Sequence, residues 1–295
     1  MTTLNVRIHA LEHNIEIIKK LASDSQIIAV LKGNAYGLGL SKFASFLQAR
    51  GIKNFAVTEL SDAVELRKKG ILGEILLLTP LYNSEDITNA IKYDITLSIT
   101  SVECGMMLEE TASYINHFCA HAHLCIDTGF GRYGFLCEKT TQIGTIINTV
   151  HAMTHVQITG IYSHFYAACC KNERFVKKQF EDFNNLCTTL TDAGIPLGIR
   201  HISSSSSLVR FPYMNLDAVR IGSAFLGRLA VSNPYGFENV CDLTARVDDV
   251  YQLPAGHNIG YGKSCRLSKA STTAVVSAGY FHGLGMTREV TAKRP

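Results

Sequence analysis

Residues 27–37 read Ile-Ile-Ala-Val-Leu-Lys-Gly-Asn-Ala-Tyr-Gly, and in this stretch an apolar run gives way to a lysine and a glycine-containing turn. The apolar run that ends at Leu31 is short, rich in β-branched residues and followed by turn residues. Such a run predicts a strand that is buried on both faces of a parallel sheet. Lys32 stands where the strand ends. A buried lysine amine can lose its proton and attack an aldehyde, although a solvated lysine in a loop is the plainer interpretation of this segment alone.

Short apolar runs alternate with longer amphipathic segments up to about residue 225, which is the pattern of βα units around a parallel sheet. The predicted strands are Ile27–Leu31, Asn54–Val57, Glu74–Leu78, Ile95–Ile99, His121–Ile126, Gly160–Ser163, Gly198–Ile202 and Ala218–Ile221. The predicted helices include Ser41–Ala49, Ser61–Lys69, Ser84–Tyr93 and Asn172–Ala193. Eight such units predict an α/β protein with a (β/α)8 TIM-type barrel over residues 1–228.

The pattern of apolar and polar residues changes after Arg228. Residues 243–253 and 270–277 alternate apolar and polar side chains between turn signals, which predicts a small C-terminal β domain over residues 229–295.

Composition narrows the classes of function. The 28 basic and 25 acidic residues are spread along the chain and leave a formal charge of +3, which gives no sign of a nucleic-acid partner. No stretch reaches the roughly 18 apolar residues of a membrane span, and the first residues do not resemble a secretion signal. A cytoplasmic protein that does not bind membranes is therefore expected. The nine cysteines lack a Cys-x-x-Cys spacing, which fits reduced thiols.

Two glycine and histidine patterns have plainer explanations than a ligand site. His121 and His123 would share one strand face and could bind zinc, but no second ligand pair accompanies them, so no metal is expected. Gly129, Gly131 and Gly134 spell G-x-G-x-x-G after a strand. Neither a helix inside the motif nor an acidic residue about 20 positions later completes a dinucleotide site.

The active site of a (β/α)8 barrel lies at the carboxyl ends of its strands. Several polar residues stand at such positions in this sequence. They are Lys32, the segment 127–134, His164, the serine run 203–207, Arg220 and Gly222. Each of them has a plain structural explanation when taken alone, and their convergence on one edge predicts a site.

Five segments in this order resemble the pyridoxal-phosphate-dependent alanine racemases. They are residues 30–37 (VLKGNAYG), 126–134 (IDTGFGRYG), 160–165 (GIYSHF), 219–222 (VRIG) and 260–262 (GYG), within a resemblance that extends from about Leu4 to Gly283. The resemblance implies an amino-acid racemase that uses pyridoxal 5'-phosphate to interconvert L- and D-alanine, a peptidoglycan precursor. It also implies a homodimer with shared active sites.

The resemblance also implies roles for individual residues. Lys32 would bind the cofactor covalently and act as one catalytic base, and Tyr261 of a partner subunit would be the other. Tyr36, Ser204, Ser205 and the backbone at Ile221 and Gly222 would bind the cofactor phosphate. His164 would pack beside the pyridine ring, Arg220 would contact the pyridine nitrogen, and Arg132 would lie near the substrate carboxylate.

The sequence departs from the family pattern at several positions. Cys125 replaces a lysine that is often carbamylated and orients the arginine, and a cysteine cannot form that carbamate. Ser204, Ile221 and His282 replace the usual asparagine, proline and aspartate. Family members continue well beyond the segment that matches residues 279–283, so the β domain is expected to be incomplete here.

Three alternatives stay open from the sequence. The chain could racemise serine or another amino acid, or it could bind pyridoxal phosphate without turnover. It could also be a related barrel enzyme such as a decarboxylase, but decarboxylation benefits from an acidic partner at the ring nitrogen, whereas this chain has Arg220.

Overall fold

The computed structural model of the protein describes residues 2–115, 119–137 and 140–284. The chain forms two compact units, one of residues 8–239 and one that combines the amino-terminal segment up to residue 7 with the segment from residue 240 onward. Among the described residues, no helix has both the length and the apolar character that crossing a membrane requires.

The larger unit is the predicted barrel. Its eight parallel strands are β2 (Gln26–Val30), β3 (Asn54–Val57), β4 (Ile75–Leu77), β5 (Leu97–Ile99), β6 (Ala120–Asp127), β8 (Val156–Tyr162), β9 (Ile199–Ser204) and β10 (Ala218–Ile221). They pair in the order β4-β3-β2-β10-β9-β8-β6-β5, and β7 (Phe135–Leu136) adds to the edge of β6. A parallel bridge between Leu76 and Thr96 connects the two ends of this order, so the strands close into a barrel.

Helices cover the outside of the barrel. They are α1 (Ile8–Ala22), α2 (Leu40–Gln48), α3 (Leu60–Lys68), α4 (Ser84–Lys92), α5 (Val102–Ser113), α6 (Thr140–Ala152), α7 (Arg174–Asp192) and α8 (Ser205–Arg210). Short 3-10 helices follow at Pro212–Met214 and Ser223–Leu226. In α1 the buried side chains recur every three or four residues, at Leu11, Ile15 and Ile18, so one apolar stripe packs on the sheet.

The segment after β10 packs with the barrel. Asn14 of α1 is fully buried, and its amide nitrogen donates to the carbonyl oxygens of Phe225 at 3.0 Å and Glu238 at 2.8 Å. Its amide oxygen accepts from the backbone nitrogen of Glu238 at 2.8 Å. A buried amide satisfied in this way fixes the return of the chain across α1.

The smaller unit is built from antiparallel pairs. Its strands are β1 (Thr2–Val6), β11 (Cys241–Ala245), β12 (Val247–Leu253), β13 (Asn258–Ile259), β14 (Cys265–Arg266) and β15 (Ser271–Val276). β1 pairs with β11, β12 with β15, and β13 with β14. Two 3-10 helices, Tyr261–Lys263 and Tyr280–His282, complete the unit.

The class of fold is therefore confirmed as a (β/α)8 barrel with a C-terminal β domain. The division into domains between residues 228 and 229 stays a prediction. The compact units differ from it at both ends, because β1 pairs with β11 in the smaller unit and residues 229–239 belong to the larger one.

Candidate active site

A cavity of about 410 Å³ opens at the carboxyl ends of the barrel strands. Its volume falls in the range of roughly 300–1,000 Å³ that small-molecule sites occupy. The described residues that line it include many of those predicted from the sequence, namely Lys32, Tyr36, Arg132, His164, Ser204, Ser205, Arg220 and Gly222. Ile221, whose backbone was predicted to bind phosphate, is buried directly before Gly222. The predicted convergence at this edge of the sheet is therefore present.

Lys32 is followed by an unusual turn. Gly33, Asn34, Ala35 and Tyr36 all have φ between 53° and 61°, so the chain makes one left-handed helical turn directly after β2. Residues other than glycine adopt this conformation at a cost of about 1–2 kcal/mol each, and such strain is concentrated at functional sites. The side-chain oxygen of Asn34 accepts from the backbone nitrogen of Leu40 at 2.8 Å and joins the turn to α2.

The left-handed turn brings Tyr36 against β10. A methyl group added at Gly222 would overlap the phenol oxygen of Tyr36, and its ring carbons would be only 2.8–2.9 Å away. Gly222 is therefore required by close approach. Four serines, Ser204, Ser205, Ser206 and Ser223, also line the cavity. Ser205 accepts from the backbone nitrogens of Gly222 at 3.3 Å and Ala224 at 3.2 Å. Neutral hydroxyls and amides of this kind suit a phosphate group.

We expect Gly222→Ala to weaken binding of pyridoxal 5'-phosphate. The phenol of Tyr36 must move away from the added methyl group, and losing one hydrogen bond to a charged group corresponds to roughly a 10- to 100-fold loss of affinity. Titration of the apoprotein with the cofactor, followed by absorbance, measures the effect. Gly144→Ala is the matched control, because nothing lies within 4 Å of the added methyl group there. An unchanged dissociation constant for Gly222→Ala would contradict the assignment of Tyr36 to the phosphate.

Arg220 lies deeper in the barrel and is buried. Its guanidinium donates to the carbonyl oxygen of Ser163 at 2.6 Å and to Nδ1 of His164 at 3.2 Å. Burial lowers the pKa of Arg220 to about 10, so the group keeps its charge at neutral pH. Burial also lowers the pKa of His164 to about 3, and the positive charges of Arg220, Arg132 and Lys32 act in the same direction. His164 is therefore a neutral acceptor.

This neutral histidine makes a testable contribution to stability. Below pH 6.5 the unfolded chain takes up a proton at this residue that the folded chain refuses until about pH 3, so folding is destabilised on acidification. As the pH falls, the free energy of unfolding should decrease less steeply in His164→Gln than in wild type. The two slopes should differ by about 1.4 kcal/mol per pH unit. Urea unfolding between pH 7 and pH 4 measures the slope, with the exposed His9→Gln as control. Equal slopes in wild type and His164→Gln would be inconsistent with a neutral His164.

Gln179 holds the backbone of His164 in place, and the sequence alone did not identify it. Gln179 of α7 is buried, and its amide nitrogen donates to Thr128 Oγ1 at 2.9 Å and to the carbonyl oxygen of His164 at 3.1 Å. Thr128 in turn lies 2.8 Å from the hydroxyl of Ser163. Gln179 occupies an ordinary helical position, and no local signal distinguishes it.

The segment 127–134 is a loop shaped by Asp127. This buried carboxylate accepts from the backbone nitrogens of Gly129 at 2.8 Å and Gly131 at 3.0 Å. Gly134 has φ of 121° and would place a methyl group 2.7 Å from the backbone of Asp127. The glycines therefore serve loop geometry, in line with the rejection of a dinucleotide motif. Arg132 is exposed on this loop, with its guanidinium carbon 4.6 Å from the ring centre of Phe130.

Cys125 lines the cavity and remains a thiol. Burial raises its pKa to about 11, and its sulfur lies 3.5 Å from the carbonyl oxygen of Tyr133. It can offer no anion to Arg132 at neutral pH.

Tyr261 lies in the smaller unit. Its side chain is 96% exposed at the start of the 3-10 helix Tyr261–Lys263. Flanking glycines with positive φ, Gly260 and Gly262, shape the turn that presents it.

The barrel has a lysine, a buried arginine and several serines at the carboxyl ends of its strands. These are the features of a barrel-type protein that binds pyridoxal phosphate. The family model for the alanine racemase N-terminal domain matches residues 6–229, and the one for the alanine racemase C-terminal domain matches residues 240–294. The chain belongs to the alanine racemase family, which depends on pyridoxal 5'-phosphate.

Individual relatives agree with this membership. Alanine racemase 1 of Caldanaerobacter subterraneus subsp. tengcongensis is 33% identical over an alignment of 289 residues, and the match covers 96% of this chain and 73% of that protein. Alanine racemase of Clostridium tetani is 32% identical over 92% of this chain and 70% of its own length. The crystal structure of alanine racemase from Bacillus anthracis with bound L-Ala-P has a TM-score of 0.85 at 27% identity, covering 96% of this chain and 73% of that one.

Proposed function

We propose that this protein interconverts L- and D-alanine with pyridoxal 5'-phosphate. The observation that carries the proposal is the composition of the cavity, where Lys32, neutral phosphate-type donors and the buried Arg220 line one space. A racemase needs these three elements to hold the cofactor, tune it and move a proton. The family membership and the relatives named above support alanine as the substrate.

In this proposal, different residues bind different parts of the cofactor. Lys32 would bind it covalently through Nζ, and His164 would pack beside the pyridine ring. The phosphate would be bound by Tyr36, Ser204, Ser205 and the backbone of Ile221 and Gly222. These groups are all neutral, so they would not neutralise the charge of the phosphate. They would bind it through hydrogen bonds and oriented dipoles.

Arg220 sets the chemistry at the ring nitrogen. The bound cofactor supplies an electron sink for the charge that develops at the α-carbon of the amino acid. A guanidinium remains protonated and can only donate, so it leaves the ring nitrogen without a proton of its own. Arg220 would therefore weaken the electron withdrawal by the ring, which would favour brief proton exchange at the α-carbon over decarboxylation or transamination.

Inversion requires a base on each face of the α-carbon. Lys32 Nζ takes one face, and we assign the other to the phenol oxygen of Tyr261 from a second copy of this chain. The full exposure of Tyr261 on a glycine-flanked turn supports a role at a surface that another molecule completes. The proposal therefore includes a homodimer with shared active sites.

Arg132 is proposed to bind the substrate carboxylate. Cys125 is a neutral thiol and cannot pair with the guanidinium of Arg132. The guanidinium instead makes a cation–π contact with the ring of Phe130. Because this loop position is exposed, we expect Arg132 to be ordered further by the carboxylate itself.

A panel of L-amino acids tests the substrate. The cofactor-loaded protein is incubated with alanine, serine and larger amino acids, and the products are separated on a chiral column. Formation of D-alanine faster than any other D-amino acid supports the proposal. Preferential formation of D-serine or another product would replace alanine as the substrate, and cofactor binding without any product would indicate a non-catalytic protein.

A further inference from the structure

Arg220 carries a buried positive charge. Within the part of the chain that the structure describes, no carboxylate forms an ion pair with its guanidinium. Its acceptors are the carbonyl oxygens of Ser163 and His201 and a ring nitrogen each of His164 and His201. A buried charge that lacks a counter-charge is strongly disfavoured. The interior of the barrel should therefore contain a compensating group.

A row of side chains leads from Arg220 through the barrel interior to a carboxylate. Nη1 of Arg220 lies 2.6 Å from Nδ1 of His201. Nε2 of His201 lies 3.0 Å from Nδ1 of His123, and Nε2 of His123 lies 2.9 Å from Oε1 of Glu74. His123 and His201 are fully buried, whereas the side chain of Glu74 is 25% exposed just before β4, at the end of the barrel opposite the cavity.

The donors in this row can be assigned in one direction. A guanidinium only donates, so Nδ1 of His201 must accept and its proton must be on Nε2. That proton is donated to Nδ1 of His123, which places the proton of His123 on Nε2, facing the Glu74 carboxylate. Burial lowers the pKa of His201 well below the usual range, with Arg220 acting in the same direction, so this ring is neutral. Both hydrogen bonds then run from the cation toward the anion, and the Glu74–His123 contact completes the row.

The backbone is shaped to admit this row. A methyl group added at Gly160 of β8 would lie 2.5–2.6 Å from three atoms of the His123 ring, so only glycine leaves room for the ring. The Glu74–His123 contact is short but does not have the geometry of a hydrogen bond. Neither Oε1 of Glu74 nor Nε2 of His123 has a well-formed hydrogen bond to any other described group. The Glu74 carboxylate also interacts with the hydroxyl of Thr96 and with the positive charge of Arg67.

We propose that Glu74 is a positioning residue for Arg220, acting through His123 and His201. Its carboxylate provides the distant counter-charge of the guanidinium and holds the two histidines in the tautomers that aim Arg220 at the cavity. The inference rests on the proposed role of Arg220 at the ring nitrogen of the cofactor. It adds a residue at the far end of the barrel to the groups that tune the cofactor.

The apoprotein offers a test that does not depend on activity. Protein labelled with 15N-histidine is compared as wild type and Glu74→Gln by long-range 1H–15N spectra between pH 5.5 and 8.5, with resonances assigned by His123→Gln and His201→Gln. Wild type should show both rings neutral with the proton on Nε2. In Glu74→Gln, which keeps the shape and removes the charge, the Hε2 resonances of both His123 and His201 should move upfield.

Two further variants keep this test decisive. Glu85→Gln removes an exposed carboxylate from α4 and should leave both resonances unchanged. Glu74→Asp retracts the carboxylate by one methylene and replaces Glu74→Gln if the latter fails to fold. A doubly protonated His201, a proton on its Nδ1, or an unchanged His201 resonance in the Glu74 variant would overturn the relay.

The loaded enzyme tests the functional part. In Glu74→Gln we expect kcat to fall roughly two- to thirtyfold, the range of coupling through a contiguous network, while KM for L-alanine stays unchanged. A shifted His201 resonance with unchanged kcat would overturn the positioning role. If wild type itself fails to racemise alanine, the proposed function fails, and the spectra of the apoprotein still decide whether the relay exists.

Discussion

Lys32→Ala should abolish racemisation, with a loss of at least about 10³-fold, because no other amine lines the described cavity to bind the cofactor covalently and exchange the proton. The variant should also yield no covalent adduct after treatment with pyridoxal 5'-phosphate and borohydride, as measured by intact mass. The turn that follows Lys32 is organised by Asn34 and the backbone, so the substitution should leave the fold intact.

Lys42→Ala is the control for this experiment. Lys42 lies exposed on α2, and its removal should leave both the adduct and the activity of the wild type. A borohydride-stable adduct that persists in Lys32→Ala and is lost in another lysine variant would reassign the cofactor lysine.

Tyr261→Phe should have the second large effect. Removing the phenol oxygen leaves one face of the α-carbon without a base, so racemisation in both directions should fall by roughly 10²- to 10⁴-fold. Lys32 remains able to exchange the α-proton of one enantiomer with solvent. We therefore expect deuterium to enter one enantiomer of alanine without inversion. Nearly unchanged racemisation would remove Tyr261 from the mechanism.

Mixed dimers test whether Tyr261 acts on the partner's site. In a symmetric dimer that combines Lys32→Ala with Tyr261→Phe, one of the two sites would contain both intact residues. Random mixing of the two inactive proteins should therefore restore about one quarter of the wild-type activity. If each site used only residues of its own chain, no intact site would form and no activity would return. Tyr280→Phe is the control for Tyr261→Phe, since Tyr280 is also an exposed tyrosine of the smaller unit.

The strands of the barrel could be predicted because each is a short apolar run between turn residues. The predictions for Asn54–Val57 and Ala218–Ile221 agree with the structure residue for residue. The strand predicted at Gly160–Ser163 begins earlier, at Val156. Gly160 resembles a strand boundary in the sequence, whereas in the structure it lies inside the strand and makes room for the His123 ring.

The smaller unit was less predictable. β1 carries no strong strand signal, since four of its five residues are exposed, and it forms by pairing with β11 more than 230 residues away in the chain. Pairing over such a separation depends on the whole fold rather than on local pattern. The same reason explains why residues 229–239 belong with the barrel, where the buried Asn14 binds Glu238.

Residues at strand ends could be identified from the sequence, and those that hold them in place could not. Lys32, His164 and Arg220 follow or end predicted strands, so barrel topology alone brings them to one edge. Their supports, Gln179 and His201, lie on other elements and are connected only by tertiary contacts. His123 illustrates the difference, because its spacing from His121 only raised a zinc site that the sequence did not support, whereas in the structure it contacts His201 and Glu74.

Exchange of the α-proton in heavy water tests most directly whether this cavity racemises alanine. The cofactor-loaded protein is incubated with L-alanine, and NMR and a chiral column follow the deuterium content and the configuration of the amino acid. D-Alanine should appear carrying deuterium at the α-carbon, while the remaining L-alanine should gain deuterium more slowly. Binding of the cofactor with neither exchange nor inversion would contradict the assignment of this cavity as the active site of an alanine racemase.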